Sequence, residues 1–98
     1  MIEWADLADL PGAATVRRGI DDRRRGGRSI EALLVSTMSA RLGRYGFDVP
    51  TDDLPNDREM ALYAALEGHG GYRRYNALRR ELASFMSALA HRARRLER

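Results

Sequence analysis

Large apolar side chains recur at intervals of three and four residues near the C-terminal end of the chain. They are Tyr75, Leu78, Leu82, Phe85, Leu89 and Leu96, and Arg92 stands at the one place in the repeat that is not apolar. Residues three and four apart lie on one face of an α-helix, so this spacing predicts a helix over residues 72–96 with a continuous apolar stripe. At ~1.5 Å per residue it would be roughly 37 Å long. The other segments are shorter, and we expect them to pack against it.

Three shorter segments with helical spacing precede this stripe. The first spans residues 11–24 and begins with a proline, which suits the first position of a helix. The second spans residues 30–45, with Ser29 as its N-terminal cap and a glycine directly after it. The third spans residues 56–67, where Asn56 is followed three residues later by a glutamate, as in a capping box. No alternating pattern typical of a β-strand occurs.

These segments predict an all-α fold, a small bundle of four helices with a long C-terminal helix. The 98 residues are enough for one modest core, so we expect a single helical domain covering residues 1–98. The helix over residues 30–45 is expected at the centre, and an extra helical turn is expected near Trp4. The side chains predicted to be most deeply buried are Leu33, Leu34, Leu42, Leu78, Leu82 and Phe85.

The composition argues against several classes of function. Cysteine is absent, which excludes disulfides, thiolate catalysis and Cys-ligated metals. His69 and His91 have no second ligand at a spacing typical of a metal site, and no nucleophile or phosphate-loop motif occurs. We therefore expect no enzymatic activity, no cofactor and no metal. No window approaches the ~18 apolar residues of a membrane span, and the N-terminus lacks the pattern of a signal peptide, so we expect a cytoplasmic protein.

Charged residues alternate in sign along the chain. Residues 16–28 hold six arginines and two aspartates, a net charge of +4. Residues 46–67 hold six acidic residues and one arginine, a net charge of −5. Residues 72–98 hold eight arginines and two glutamates, a net charge of +6. Blocks of this kind predict ion pairs inside the bundle or across a dimer.

The start of the last helix is a candidate binding site. Arg73 and Arg74 add positive charge where the helix dipole is already positive, so a negative group is expected beside them. A carboxylate from residues 48–67 is the expected partner, because an internal group costs no association entropy. The alternative is a phosphate or a nucleic-acid backbone. In that case the expected contacts are Arg73, Arg74, Asn76, Arg79 and Arg80.

The distal end of the last helix is a second candidate. The helix would exceed the ~24 Å of the segment over residues 30–45 by more than two turns. An apolar overhang of this kind is covered, frayed or paired with another chain, and we expect a partner, most simply a second copy of the chain. The predicted oligomer interface consists of Phe85, Leu89, Arg92 and Leu96.

The sequence therefore predicts a small non-catalytic interaction module that acts as a homo-oligomer or as a subunit bound to another protein. The alternative is a nucleic-acid-binding regulator that uses the arginine-rich C-terminal helix. The expected partners are a second copy or another protein, with nucleic acid as the alternative and without a membrane.

Overall fold

Residues 3–96, the part of the chain that the structure describes, form helices and no β-strand in this computed structural model. A single 3-10 turn at Trp4–Asp6 is followed by α1 (Ala13–Arg24), α2 (Ile30–Ser36), α3 (Ser39–Arg44), α4 (Arg58–Leu66) and α5 (Gly71–Leu96). The predicted all-α fold with a long C-terminal helix is confirmed. The described residues form one α-helix more than predicted, because the second predicted helix is divided into two.

The segment over residues 30–45 is broken into α2 and α3, where the sequence predicts one helix. The hydroxyls of Ser36 and Thr37 each donate to the carbonyl three residues earlier, at 2.6 Å. Arg58 donates to the carbonyl oxygen of Ser36 at 3.0 Å. Side chains thus bind carbonyls near the end of α2, and hydroxyl-to-backbone bonds of this kind compete with the regular helix. Met38, at the break, has φ −120° and ψ 23°.

One apolar core joins the helices, and α2 lies at its centre, where it packs against α1, α4 and α5. Five of the six side chains predicted to be most deeply buried are buried, whereas Leu78 is half-buried and packs against the outside of the core. The largest fully buried apolar side chains are Leu7, Val16, Ile20, Leu34, Leu42, Leu62, Leu66, Leu82, Phe85, Met86 and Leu89.

A buried glycine of α1, Gly19, lies directly against the backbone of α2. A Cβ atom added to Gly19 would lie 2.3 Å from the carbonyl oxygen of Glu31 and 2.9 Å from Cγ1 of Val35. Real Cβ atoms do not approach a backbone oxygen this closely, because the atoms would overlap. The two helices therefore pack backbone against backbone at this point, and they can lie this close together only because Gly19 has no side chain.

A buried arginine fastens the long connection between α3 and α4 to the end of α1. Arg23 is 2% exposed, and it donates from Nε to the carbonyl of Pro50 at 2.9 Å and from Nη1 to the carbonyl of Gly27 at 2.6 Å. Its Nη2 pairs with the carboxylate of Asp53, which Arg28 also approaches at 3.7 Å. The hydrogen bond from Arg23 lowers the pKa of the Asp53 carboxyl below its ordinary value. This cluster joins the first basic block to the acidic block.

The distal part of α5 is covered by the N-terminal segment, residues 3–12. The ring of Trp4 lies 6.3 Å from that of Phe85, centroid to centroid. Nη2 of Arg92 pairs with the carboxylate of Asp9 at 2.9 Å, and this hydrogen bond lowers the pKa of the aspartate. The N-terminal segment thus folds back over α5, the last helix in the sequence.

This contact corrects the expectation that the distal end of the helix is open to a partner. Phe85 and Leu89 are fully buried within the chain, and Arg92 is held in an internal ion pair. These three side chains are therefore already in contact with other parts of the same chain. Residues 3–12 cover the surface that was predicted to bind a second copy. The side chain of Leu96, the fourth predicted interface residue, lies outside the described residues.

Candidate interaction surface on the α4–α5 hairpin

Large apolar side chains that remain exposed are confined, among residues 3–95, to α4 and the first turn of α5. Met60 is 61% exposed, Tyr63 is 37% exposed and Tyr72 is 65% exposed. Half-buried Tyr75 lies beside Tyr63. We call these four side chains the hairpin patch. Exposed apolar groups that are grouped together, with charged residues around them, are typical of a surface that another molecule covers.

Local sequence places the two helices of this hairpin. The side chain of Asp57 caps α4 by accepting a hydrogen bond from the backbone N–H of Met60 at 3.0 Å. The cap is therefore Asp57, where the sequence predicted Asn56. Three of the four residues in the connection Gly68–Gly71 are glycines, and all three have positive φ, between 54° and 104°. Glycine adopts this left-handed region without steric cost, which allows the chain to reverse between α4 and α5.

The two helices meet along a groove of about 360 Å³. Its floor contains an edge-to-face pair of Tyr63 and Tyr75, whose ring centroids are 5.6 Å apart at an angle of 76°. Arg79 lies over the ring of Tyr75 at 5.8 Å and forms an ion pair with Glu59 across the groove. The hairpin patch therefore has an aromatic floor held by one internal ion pair, and Met60 stands at its rim.

The carboxylate expected beside Arg73 or Arg74 is not there. No carboxylate of residues 3–95 lies within 4 Å of either guanidinium, and Arg74 instead donates to the carbonyl of His69 at 3.2 Å. This prediction is wrong: the carboxylate of residues 48–67 that pairs with α5 is Glu59, and it binds Arg79 instead. The start of α5 lies level with the end of α4, so Glu59, at the start of α4, reaches Arg79 two turns further along α5.

The five candidate anion contacts are consequently separated into different environments. Arg73 and Arg80 are exposed and seven residues apart, so they lie on the same solvent face of α5. Arg74 points to a different side of the helix and binds the turn, and Arg79 is paired with Glu59. Asn76 is half-buried. Two of the five thus remain together on one free face.

The hairpin patch itself was not among the sites predicted from the sequence. The signal that reveals it is the distribution of apolar residues around α4. Leu62 and Leu66 are buried on one side, whereas Met60 and Tyr63 lie on the other side and are exposed. A helix that is apolar all round is typical of an element with two packing surfaces. One of these surfaces faces the core, and the other faces solvent.

Two other features are absent from the part of the chain that the structure describes. No group of three or more histidine, aspartate or glutamate residues is placed there so that it could hold a metal ion. None of the helices that the structure describes is both long enough and apolar enough to cross a membrane. Comparison of the chain with protein-family models, with curated proteins and with solved structures finds no match.

Proposed function

We propose that this protein is a small non-catalytic interaction module that binds protein through the hairpin patch. The observation that carries the proposal is the exposure of Met60, Tyr63 and Tyr72 on one hairpin, while the other large apolar side chains of residues 3–95 are at least half-buried. Apolar surface gains roughly 25 cal/mol per Å² when it leaves water, so covering this patch is favourable.

The chemistry of the patch suits a protein partner. Tyrosine, methionine and arginine are enriched at protein–protein interfaces, and tyrosine and arginine dominate their energetic centres. Tyr75 and Arg79 are already held in place by Tyr63 and Glu59. A surface that is ordered before binding loses less side-chain entropy when a partner arrives. The charged residues around the patch then serve as its rim.

Photo-crosslinking tests this function. We expect a photoreactive phenylalanine analogue at Tyr72 or Met60 to give discrete protein adducts when the protein is irradiated in the cells that produce it. The matched control carries the same analogue at Arg18, an exposed position on α1. Adducts that are absent from both hairpin positions, or equally abundant from Arg18, would contradict the proposal.

The solvent face of α5 supports a second candidate function, the binding of nucleic acid. Arg73, Arg80 and Arg94 are exposed, and no carboxylate of residues 3–95 lies within 4 Å of them. They are seven and fourteen residues apart, so they lie on one face about 10 and 21 Å apart. Arginine forks at such spacings are suited to the phosphates of a nucleic-acid backbone.

A salt titration distinguishes this function from protein binding. If three phosphates are neutralised, affinity for labelled duplex DNA should fall about 40-fold between ~50 and ~200 mM salt, and affinity for a single strand about 20-fold. We expect Arg73→Ala combined with Arg80→Ala to abolish most of this binding. The matched control is Arg24→Ala combined with Arg25→Ala, which removes the same charge from the end of α1. Equal losses in both double variants, or binding that ignores salt, would exclude α5 as the nucleic-acid site.

A further inference from the structure

The two sides of the hairpin patch carry opposite charge. On the α4 side, the exposed charged residues are Asp57, Glu59 and Glu67. On the α5 side, the exposed charged residues of the first ten positions are Arg73, Arg74 and Arg80, and the chain has no acidic residue there. Glu59 and Arg79 form an internal ion pair, and no other ion pair among residues 3–95 joins the acidic side to the basic side. The patch is thus apolar in the middle, acidic along one edge and basic along the other.

A surface of this kind is complementary to itself under one particular two-fold rotation. In a two-fold dimer the same patch is used by both copies. If the axis runs along the groove, parallel to the helices, α4 of one copy faces α5 of the other, and acidic edges meet basic edges. If the axis crosses the groove, α4 faces α4 and α5 faces α5. The first arrangement is favoured because like charges that face each other at an interface are repulsive.

We infer that the occupant of the hairpin patch is a second copy of this chain, bound about a two-fold axis that runs along the groove. The inference rests on the proposed function, because it names the partner of the same surface. In this dimer the exposed tyrosines and Met60 of the two copies cover each other. Arg73 and Arg80, at the start of the solvent face of α5, lie within this interface, whereas the part of that face beyond them, which carries Arg94, remains outside it.

The rotation also determines which charges meet. An axis parallel to the helices keeps each residue at its own height along the groove. The cross-groove pairs Tyr63–Tyr75 and Glu59–Arg79 set Glu67 level with the start of α5, whose first turn carries Arg73, so Glu67 faces Arg73 of the partner subunit. Asp57 lies two positions beyond Glu59, which pairs with Arg79, so it is within about one residue, or roughly 1.5 Å, of the level of Arg80, and these two side chains face each other in the same way. Each contact occurs twice, once on either side of the axis.

Charge reversal in two variants tests this geometry. We expect the wild type to double its mass at tens of micromolar protein, measured by light scattering and native mass spectrometry at ~50 mM salt. Glu67→Arg and Arg73→Glu should each weaken self-association by roughly tenfold, because every reversal acts at both symmetric contacts. Both positions are exposed, so the variants should remain folded by circular dichroism.

Mixing the two variants is the decisive measurement. In a heterodimer of Glu67→Arg with Arg73→Glu, one contact is wild type and the other is reversed at both ends, so both are attractive. We expect the equimolar mixture to form this heterodimer in preference to either homodimer, and the two masses identify it. The control Arg18→Glu changes the same charge on α1 and should self-associate like the wild type.

The self-association and crosslinking results together distinguish failure of the dimer from failure of the proposed interaction module. A wild type that stays monomeric, or a mixture in which the heterodimer is not preferred, overturns the two-fold dimer. Adducts from Tyr72 to a different protein, together with a monomeric wild type, leave the proposed interaction module in place and remove only the second copy as its partner. If no adduct forms at either hairpin position, both proposals fail.

Discussion

Gly19→Ala is expected to destabilise the fold by about 2–3 kcal/mol, although alanine is the better helix former. A Cβ atom at this position would lie 2.3 Å from the carbonyl oxygen of Glu31, and a backbone oxygen does not move without its helix. The gain in helix propensity is about 1 kcal/mol. Separating α1 from α2 costs more than this, because it loosens the contacts of Val16, Ile20 and Val35 in the core.

Gly43 provides the matched control, because it also lies within a helix but faces open space. No heavy atom lies within 4 Å of a Cβ atom added there, so Gly43→Ala should be neutral or stabilise the protein by up to about 1 kcal/mol. Urea denaturation followed by circular dichroism measures both free energies of unfolding. Equal stabilities for the two alanine variants would show that α1 and α2 are not packed backbone against backbone.

Arg23→Met is expected to cost about 3 kcal/mol of folding free energy, the other large effect in this protein. Methionine keeps most of the buried apolar stem but removes all three polar contacts of the guanidinium. The carbonyls of Pro50 and Gly27 then lose their donor in a half-buried place, and breaking a buried charge pair typically costs 3–5 kcal/mol. The lower end of that range applies because the side chain of Asp53 is 49% exposed and can be hydrated.

The neighbouring Arg24 is the control for this substitution. It carries the same charge on the same helix but is exposed, so Arg24→Met should change the free energy of unfolding by less than about 0.5 kcal/mol. A similar loss in both variants would mean that the charge of the helix end, and not the buried contacts, is responsible for the effect.

The same substitution should change the dependence of stability on pH. The hydrogen bond from Arg23 is the largest cause of the lowered pKa of Asp53, whose ordinary value is 3.8. A carboxyl with a lowered pKa stabilises the fold above its ordinary value, and the contribution is lost as the pH falls through the folded value. Arg23→Met removes this cause, so its stability should fall less steeply than that of the wild type as the pH drops below about 4. Denaturation curves between pH 5 and the acid limit at which the wild type unfolds provide the comparison.

Residues close together in the chain were sufficient to predict most of the helices. The intervals of three and four in α5, and the glycines between α4 and α5, act over one or two turns, and the structure follows them. The break between α2 and α3 was missed because it involves Arg58, which binds the Ser36 carbonyl from 22 residues away. The exposed apolar face of α4 could have been predicted from the sequence, since Met60 and Tyr63 lie on the side of the helix opposite Leu62 and Leu66.

Local spacing therefore determined the fold class, the long final helix and most of its buried stripe, because helix formation depends on neighbours three and four residues away. Tertiary structure alone decided which surfaces stay open. Arg92 binds the carbonyl of Asp6 across 86 residues of chain, and this contact places the N-terminal segment over the end of α5 that the sequence left uncovered. The antiparallel course of α4 and α5 likewise selected Arg79 as the partner of Glu59. Ion-pair choice and surface exposure depend on the relative placement of whole helices, which the periodicity of any single helix does not specify.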